Sequence, residues 1–272
     1  MKKILLIFFI LHFSFYTFHF AIAQNTNPIP CPTDKIYKWG VGVQMNTIDK
    51  FFPYGYSGEG FGELCFEGID TKNKSFSIGI MGNYLLSSDI LFRFKYILTN
   101  IQMNVYSDLR NSYTSTSPIN VEYLITDDTL GQKRHSFIQG IAWNIKKDKL
   151  NFYAGFEIPF IKYGDFTHSF TTTYYDTTST IGYIVNDKVN IPGGFSIGTG
   201  AFIGFSVVPL KCFSIGAEFS SAFFYSKFKG IIECTTTQTY PINQIHNSYW
   251  KFSKKGYDFC KGVLSFNLVY LF

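Results

Sequence analysis

The stretch 263–272 alternates between large apolar residues and a second set that includes Ser265 and Asn267. Its apolar members are two positions apart: Leu264, Phe266, Leu268, Tyr270 and Phe272. Because side chains on a strand point alternately to opposite faces, this pattern predicts a strand with one apolar face. Chain termini are usually solvated and frayed, so an aromatic strand at the end of a sequence favours a closed, ordered sheet.

The same division into an apolar set and a small or polar set recurs in seven earlier stretches. Short polar turns near 87–89, 146–149 and 209–211 separate some of these stretches. Long segments separate the others: 47–74, one ending near Arg134, 171–194 and about 230–257. We therefore predict an all-β fold, an eight-stranded antiparallel transmembrane up-and-down β-barrel with long extracellular loops and short periplasmic turns, in which the last strand pairs with the Trp39 strand.

Two positions depart from the regular pattern. Beyond Leu98 the alternation changes phase, and the apolar set becomes Ile97, Ile101, Met103 and Val105. One membrane crossing takes about 9 to 11 residues of strand, so we expect this strand to leave the bilayer here. Pro159 falls within the fifth strand, where we expect a β-bulge because proline cannot donate a ladder hydrogen bond.

The sequence begins with the features of a secretory signal peptide. Lys2 and Lys3 precede an apolar run, and Ala21-Ile22-Ala23 forms a small-x-small cleavage site. We expect a signal peptide at 1–23 cut after Ala23, a periplasmic leader at 24–35 and a barrel domain at 36–272. An N-terminal membrane anchor is the alternative, although His12 and His19 interrupt the run.

Charge and aromatic content limit the classes of function. The net charge of +5 is small and its basic residues are scattered, which argues against a nucleic-acid partner. Aromatic residues make up 19% of the chain, more than a soluble core of this size would hide. A soluble lipocalin-type barrel, the alternative, would direct its apolar residues inward. Three residues near the short turns form the expected interfacial aromatic girdle: Trp39, Tyr84 and Trp143.

The signal peptide, the alternation and the closing Leu264-x-Phe266-x-Leu268-x-Tyr270-x-Phe272 together resemble a known family. It is that of small eight-stranded outer-membrane β-barrels, of the OmpA transmembrane-domain and OmpX type, and the Gly-rich sixth strand looks most like the PorT-like members. This resemblance implies a bacterial outer-membrane location, outer-membrane lipids and the barrel assembly machinery as partners, and an assembly signal in the closing strand. It implies no catalytic residue and no cofactor.

Charged residues on the inward faces of the strands are expected to pair with one another: Arg93, Lys95, Glu157, Glu218 and Lys261. An eight-stranded barrel is narrow enough for side chains to fill it, and an unpaired charge there is costly. We predict a mixed-charge network that plugs the interior. A proton or ion path is the alternative.

Five cysteines are present, an odd number for an oxidising compartment. The predicted topology puts Cys31 and Cys212 on one side and Cys65 and Cys234 on the other. Cys31–Cys212 and Cys65–Cys234 bridges are therefore expected, with Cys260 left over. Isolated thiols remain the alternative.

Catalysis has little support in the sequence. His135-Ser136 and His168-Ser169 invite comparison with outer-membrane enzymes that act on lipid or peptide at the barrel rim. Adjacent strand residues point to opposite faces, however, so neither histidine can readily activate its own neighbour. No metal-ligand spacing occurs. We expect a non-enzymatic protein with a structural or surface-interaction role and an unknown extracellular ligand. A narrow channel for small molecules is the alternative.

Overall fold

The computed structural model describes residues 38–47, 70–73, 75–110, 121–147, 149–176, 181–210, 212–240 and 242–272. The expected signal peptide and leader lie outside these ranges. The described part of the chain forms eleven strands: β1 (Trp39–Asn46), β2 (Asp70–Asn73), β3 (Phe76–Leu85), β4 (Ile90–Arg110), β5 (Val121–Lys147), β6 (Leu150–Tyr163), β7 (Phe166–Asp176), β8 (Ile181–Ile191), β9 (Gly194–Leu210), β10 (Phe213–Tyr240) and β11 (Gln244–Leu271).

Eight of these strands form a closed antiparallel ring, in the order β1, β3, β4, β5, β6, β9, β10, β11 and back to β1. The closing pair runs from Gly40 opposite Leu271 to Asn46 opposite Ser265. Beyond it, Trp39 N donates to Phe272 O over 3.1 Å, and Phe272 N donates to Trp39 O over 2.9 Å. The predicted eight-stranded barrel is confirmed.

The long segments between barrel strands are largely strand as well. β4 and β5 remain paired as far as Arg110 opposite Tyr123, and β10 and β11 as far as Gln238 opposite Gln244. β2 continues β3 along β4, while β7 and β8 form a hairpin between the distal parts of β5 and β10. We call this distal sheet the extension. The threonines at 171–173 and 235–237 belong to these tall hairpins, which suits the strand propensity of threonine.

β6 and β7 lie end to end along β5 and form one line of strand. β9 and β8 form a second such line along β10. The pairing of β6 with β9 ends at Tyr163 opposite Gly194, and that of β7 with β8 resumes at Phe166 opposite Ile191 in unchanged register. Gly164 and Asp165 interrupt the first line, and Pro192 and Gly193 the second. Eleven strand segments thus correspond to the eight predicted strands.

The ring exposes its apolar residues and buries its polar ones. Val41, Ile80, Phe156, Ile203 and Phe266 are each about half exposed or more, whereas Gln44, Asn144 and Ser265 are buried. A soluble barrel has the opposite arrangement, so the lipocalin-type alternative does not describe this molecule. Within the described ranges, no helix is long and apolar enough to cross a bilayer.

After Leu98 the alternation of apolar and polar residue types changes phase, but the backbone of the strand continues without a change of register. β4 stays regular, and the residues that point inward with Arg93 and Lys95 continue as Ile97 and Ile101. Ile101 is only 1% exposed. The sequence pattern therefore marks the height at which the barrel interior changes from charged to apolar.

Two irregularities differ from expectation. Around Pro159 the β6–β9 pairs are interrupted, but the register is the same on both sides, so the expected bulge is absent. A register shift occurs instead between β10 and β11, where Lys261 and Gly262 of β11 face the single residue Ser221. Gly262 has a φ of 136°, which only glycine adopts readily. The side chain of Lys261 lies outside the described part, so its place in the charge network stays a prediction.

Candidate functional site: the barrel interior

Four inward charges form one connected group, which we call the charge layer: Arg93, Lys95, Glu157 and Glu218. Arg93 Nη2 and Lys95 Nζ each lie 2.5 Å from a different oxygen of Glu218, and Lys95 Nζ lies 3.3 Å from Glu157 Oε2. Each of the four residues is at most 5% exposed. β4, which carries the cations, is four positions from β10 in the ring of eight, so the Glu218 contacts cross the full width of the bore.

The charge layer rests against two aromatic rings. The guanidinium carbon of Arg93 lies 4.3 Å from the centre of the Phe202 ring and 5.1 Å from that of Tyr153. Lys95 Nζ lies 5.4 Å from the Phe202 ring, and Asn267 Nδ2 donates to Tyr153 OH over 3.5 Å. Cation–π contacts strengthen when they are desolvated. The rings and the paired charges therefore lie together in one layer of the interior.

Glycine on β9 makes room for this packing. A Cβ atom at Gly204 would lie 2.5 Å from the Tyr153 ring, a distance that no methyl group can occupy. Only a glycine there allows the tyrosine to lie flat against the strand and reach the charge layer. The sequence pattern showed the Gly-rich face of this strand but not which ring would use it.

A cavity of about 280 Å³, which we call the chamber, lies on the distal side of the charge layer. Lys95 and Glu157 form part of its wall, together with Arg134, Tyr163 and Asp258. Hydroxyl side chains supply much of the remaining lining: Thr47, Ser77, Thr99, Ser136, Ser220, Ser221 and Ser265. Apolar side chains, among them Ile97, Ile138 and Phe224, complete the lining, so the chamber is of mixed polarity and is large enough for several water molecules.

An apolar core lies in the extension, beyond the chamber. We call this group the upper cluster: Leu130, Phe166, Val189 and Ile191, all at most 3% exposed, with Ile232, Cys234 and Phe252 packed against it. The rings of Tyr163 and Phe228, whose centres are 5.3 Å apart, lie on the strands between the chamber and this cluster. From the charge layer outward, the interior therefore changes from charged through mixed to apolar.

Neither His-Ser pair forms a catalytic arrangement in the described structure. His135 Nδ1 lies 2.8 Å from the hydroxyl of Tyr96, and Ser136 points to the opposite, buried face. His168 is buried with its ring 5.0 Å from that of Phe170, and its Nε2 has no hydrogen-bond partner among the described residues. Burial lowers the pKa of His168, and the charge of Asp187 partly offsets this effect. Among the described side chains, no three His, Cys, Asp or Glu residues are placed to hold a metal ion.

The cysteines follow the expected pairing only in part. Cys212 is half of a disulfide whose other half lies outside the described residues, so the Cys31–Cys212 bridge stays a prediction. Cys234 and Cys260 are thiols. The expected Cys65–Cys234 bridge is therefore not formed, because Cys234 lies within a continuous ladder between Ser248 and Val189 and packs against the upper cluster. Cys65 itself lies outside the described residues.

The predicted girdle residues lie at the short-turn end. The Trp39 and Tyr84 rings are 4.4 Å apart on paired strands, and Trp143 meets Phe156 edge to face at 6.1 Å. The five apolar residues of the closing strand are all exposed on the outer face, by 40% to 57%. Their proposed role as an assembly signal stays a prediction.

The structure brings together four of the five residues predicted for the interior network. The sequence shows Tyr153 and Phe202 on the inward face but does not reveal their contacts with the charge layer. Sequence analysis missed Arg134, whose Nε donates to Gln132 Oε1 over 3.1 Å, because the segment that ends near Arg134 was expected to be a loop. Treating that segment as a strand would have placed Arg134 inward with Ser136.

An eight-stranded antiparallel ring with an apolar exterior and inward polar and charged side chains is the architecture of a small transmembrane β-barrel. No family model matches the chain, and no curated protein matches it either. Among solved structures, it is similar to the outer membrane protein OprG from Pseudomonas aeruginosa, with 11% identity over 88% of this chain and 97% of that one and a TM-score of 0.40. It is also similar to the outer membrane protein AlkL, with 10% identity over 91% and 96% of the two chains and a TM-score of 0.39. A major outer membrane protein from Thermus thermophilus gives 10% identity over 88% and 100% of the two chains and a TM-score of 0.36.

Proposed function

We propose that this protein is an integral β-barrel of a bacterial outer membrane, with its short turns in the periplasm and its extension at the cell surface. The exposed apolar band supports the proposal, since such a band is stable only against lipid. Trp39, Tyr84 and Trp143 at the short-turn end fit an interfacial girdle. Outer-membrane lipids and the barrel assembly machinery are the partners that this location requires.

Two measurements test this location. The detergent-folded protein should migrate differently on a gel before and after boiling, as a barrel that resists unfolding does. On intact cells, protease should cut the extension and leave the short turns intact. Cleavage only at the turns would reverse the proposed orientation, and a protein found only in the soluble periplasm would exclude it.

We propose further that the barrel itself is closed and that the protein acts through its extension, in a structural or surface-interaction role. The single observation that carries this is the charge layer, whose Glu218 contacts span the bore from β4 to β10. The extension exposes aromatic and aliphatic side chains that can contact an extracellular ligand, among them Ile231, Ile245 and Tyr249. The role is not enzymatic, which agrees with the opposite facing of His135 and Ser136.

Single-channel recording in planar bilayers tests the closed barrel. The wild type should show no large, steady open state. The double variant Arg93→Ala/Glu218→Ala removes both charges of the contact across the bore and leaves Lys95 paired with Glu157. It should raise the conductance. A large, steady wild-type conductance would overturn the closed-barrel proposal.

A narrow channel for small molecules is the second candidate, and the chamber favours it. It already provides about 280 Å³ of space on the distal side of the charge layer. Proteoliposome swelling separates the two candidates. Swelling in a small neutral solute, without a steady ionic conductance, would favour the channel; no swelling would favour the closed barrel.

A further inference from the structure

Four lysines form a compact patch on the outer face of β10 and β11, which we call the lysine patch: Lys227, Lys229, Lys251 and Lys255. All four are exposed. Lys227 lies directly opposite Lys255 on the neighbouring strand, Lys229 opposite Ser253, and Lys251 opposite Ile231. Residues directly opposite on paired strands have Cβ atoms about 5 Å apart, and diagonal neighbours are about 7–8 Å apart. The patch therefore concentrates positive charge over a few residues of two adjacent strands.

The patch has no internal counter-charge. None of its lysines makes an ion pair with a carboxylate in the described part of the chain. Glu233, the acid on the same face of β10, lies opposite Tyr249 at the distal edge of the patch. Like charges directly opposite on paired strands destabilise a sheet. An anion that bound between Lys227 and Lys255 would remove that repulsion.

The height of the patch follows from the residues below it. On β10 the outward set from Phe213 to Phe223 is mainly apolar and spans the 9 to 11 residues of one bilayer crossing. Tyr225 and Tyr257 come next, with their ring centres 5.4 Å apart, and Tyr257 stacks on Phe223 at 5.6 Å. Paired tyrosines at this point mark the membrane interface. Lys227 and Lys255 lie two residues beyond the tyrosines, at the level of lipid head groups.

We propose that the lysine patch is a binding site for a phosphorylated lipid of the outer leaflet. Its acyl chains would lie on Phe219, Phe223 and Phe259, which are each about half exposed. Its phosphate would accept charge-assisted hydrogen bonds from Lys227 and Lys255, with Lys229 and Lys251 beside them. The two parts of such a lipid, apolar below and anionic above, match the order of residues along both strands. This inference rests on the proposed outer-membrane location, because only there would the patch meet such a lipid.

Binding is tested on the purified barrel inserted in phosphatidylcholine nanodiscs, with diphosphoryl lipid A as the probe. The variant Lys227→Gln/Lys255→Gln should lose about tenfold or more in affinity, since each lysine near an anionic lipid surface contributes substantially. Its matched control is Lys38→Gln/Lys149→Gln, which removes the same charge from exposed positions at the short-turn end and should bind as the wild type does. Equal losses in both variants would overturn the assigned site.

Two further arms make the result decisive. Fully dephosphorylated lipid A should bind at least tenfold more weakly than the probe, and excess inorganic phosphate should not displace the probe. Displacement by phosphate alone would show a general anion site and overturn the lipid assignment. Lys255→Glu should unfold at the same or a higher urea concentration, because it creates an opposite-charge pair with Lys227, yet it should still lose affinity. Unchanged lipid A binding by this variant would also overturn the proposal.

Cell fractionation is performed separately, so the two proposals can fail independently. A protein that fractionates to the outer membrane but binds lipid A equally well without the patch keeps the proposed location and loses this inference. A protein that fractionates elsewhere loses the proposed location, whatever the nanodisc measurement gives.

Discussion

Glu218 links both cations of the charge layer. Arg93 and Lys95 approach its two oxygens, and Glu157 reaches only Lys95. Arg93 Nη1 already has no hydrogen-bond partner among the described residues. The side chain of Glu218 therefore joins Arg93 to the rest of the layer.

Replacing Glu218 with glutamine should destabilise the barrel by about 3 kcal/mol, because it leaves two buried cations with one carboxylate. The measurement is the free energy of unfolding in urea, in detergent micelles or lipid vesicles. Glu233→Gln makes the same change at an exposed position of the same strand and should alter stability by less than about 0.5 kcal/mol. Equal effects of the two substitutions would contradict the assigned role of the charge layer.

His168 gives the extension a dependence on pH. Its pKa in the folded protein is lowered by burial, so between that value and the unfolded value of about 6.5 the unfolded chain binds the extra proton. Stability should therefore fall as the pH drops from 7 towards 5.5. Amide hydrogen exchange of β7 and β8 measures this change. The profile should flatten in His168→Phe and persist in His246→Phe, where the histidine is exposed. A wild-type profile that is already flat would contradict the prediction.

Residue types predict which face of a strand a side chain occupies more reliably than they predict where the strand ends. Except beyond the β11 bulge, the outward and inward sets of the barrel strands could be predicted, because an apolar exterior and a charged interior enforce alternation. Beyond the apolar band, water lies outside and Ile97, Ile101 and Leu130 lie inside, so the alternation reverses its chemistry while the backbone continues. A strand that changes its polarity pattern in this way resembles a loop in the sequence.

The β11 bulge could not be predicted from the alternation either. The extra residue at Lys261 and Gly262 changes which side chains face inward, so that Asp258 and Cys260 line the chamber. Nothing in the local sequence distinguishes Gly262 from the many glycines that point into the barrel. Its special conformation is visible only from the pairing with β10.

Gly262→Ala should destabilise the junction between the barrel and the extension by about 1–3 kcal/mol, because the backbone there has positive φ. A Cβ at this position would also lie 2.3 Å from the Phe219 ring. Urea unfolding measures the loss, and protease should cut β11 faster in the variant. Gly131→Ala is the control, since its nearest contact would be a threonine hydroxyl at 3.3 Å. A variant as stable as this control would exclude strain at the bulge.

The whole molecule combines a barrel and an extension that share strands but have separate interiors. The barrel holds the charge layer and the chamber, and the extension holds the upper cluster. The register between β6 and β9 continues unchanged into that between β7 and β8. This continuity allows the hairpin to be shortened without any change in the pairing of the barrel.

Deleting 166–191, so that 164–165 and 192–193 form the connecting turn, should leave a barrel that still folds. The variant should keep its gel-mobility shift on boiling, because the eight-strand ring and the charge layer remain. The distal parts of β5 and β10 should become sensitive to protease, since each loses one strand partner, β7 or β8, together with most of the upper cluster. If the shortened chain fails to form the barrel in micelles, the extension is required for folding as well as for surface contact.

The sequence predicted the membership of the interior network better than its arrangement. Inward parity identified Arg93, Lys95, Glu157 and Glu218, but the contacts across the bore depend on ring order, which no single strand contains. Cys234 shows the converse error. Its segment was assumed to be a loop, and a disulfide was predicted from that assumption. The residue is instead a thiol in a regular ladder.

The inward glycines of β9 have a consequence for how such a chain can vary over evolutionary time. At Gly198 a Cβ would lie 2.3 Å from a main-chain oxygen of β10, and at Gly204 it would enter the ring of Tyr153. Along this strand, tolerance to substitution should alternate from one residue to the next. Inward positions are restricted by the space left for a side chain, and outward positions need only be apolar. Drift in lineages that carry this barrel should therefore replace Ile203 or Phe205 freely with other apolar residues. Gly204 should stay fixed until Tyr153 itself becomes smaller, whereas Gly198 should stay fixed whatever happens to Tyr153, because the main chain limits its space.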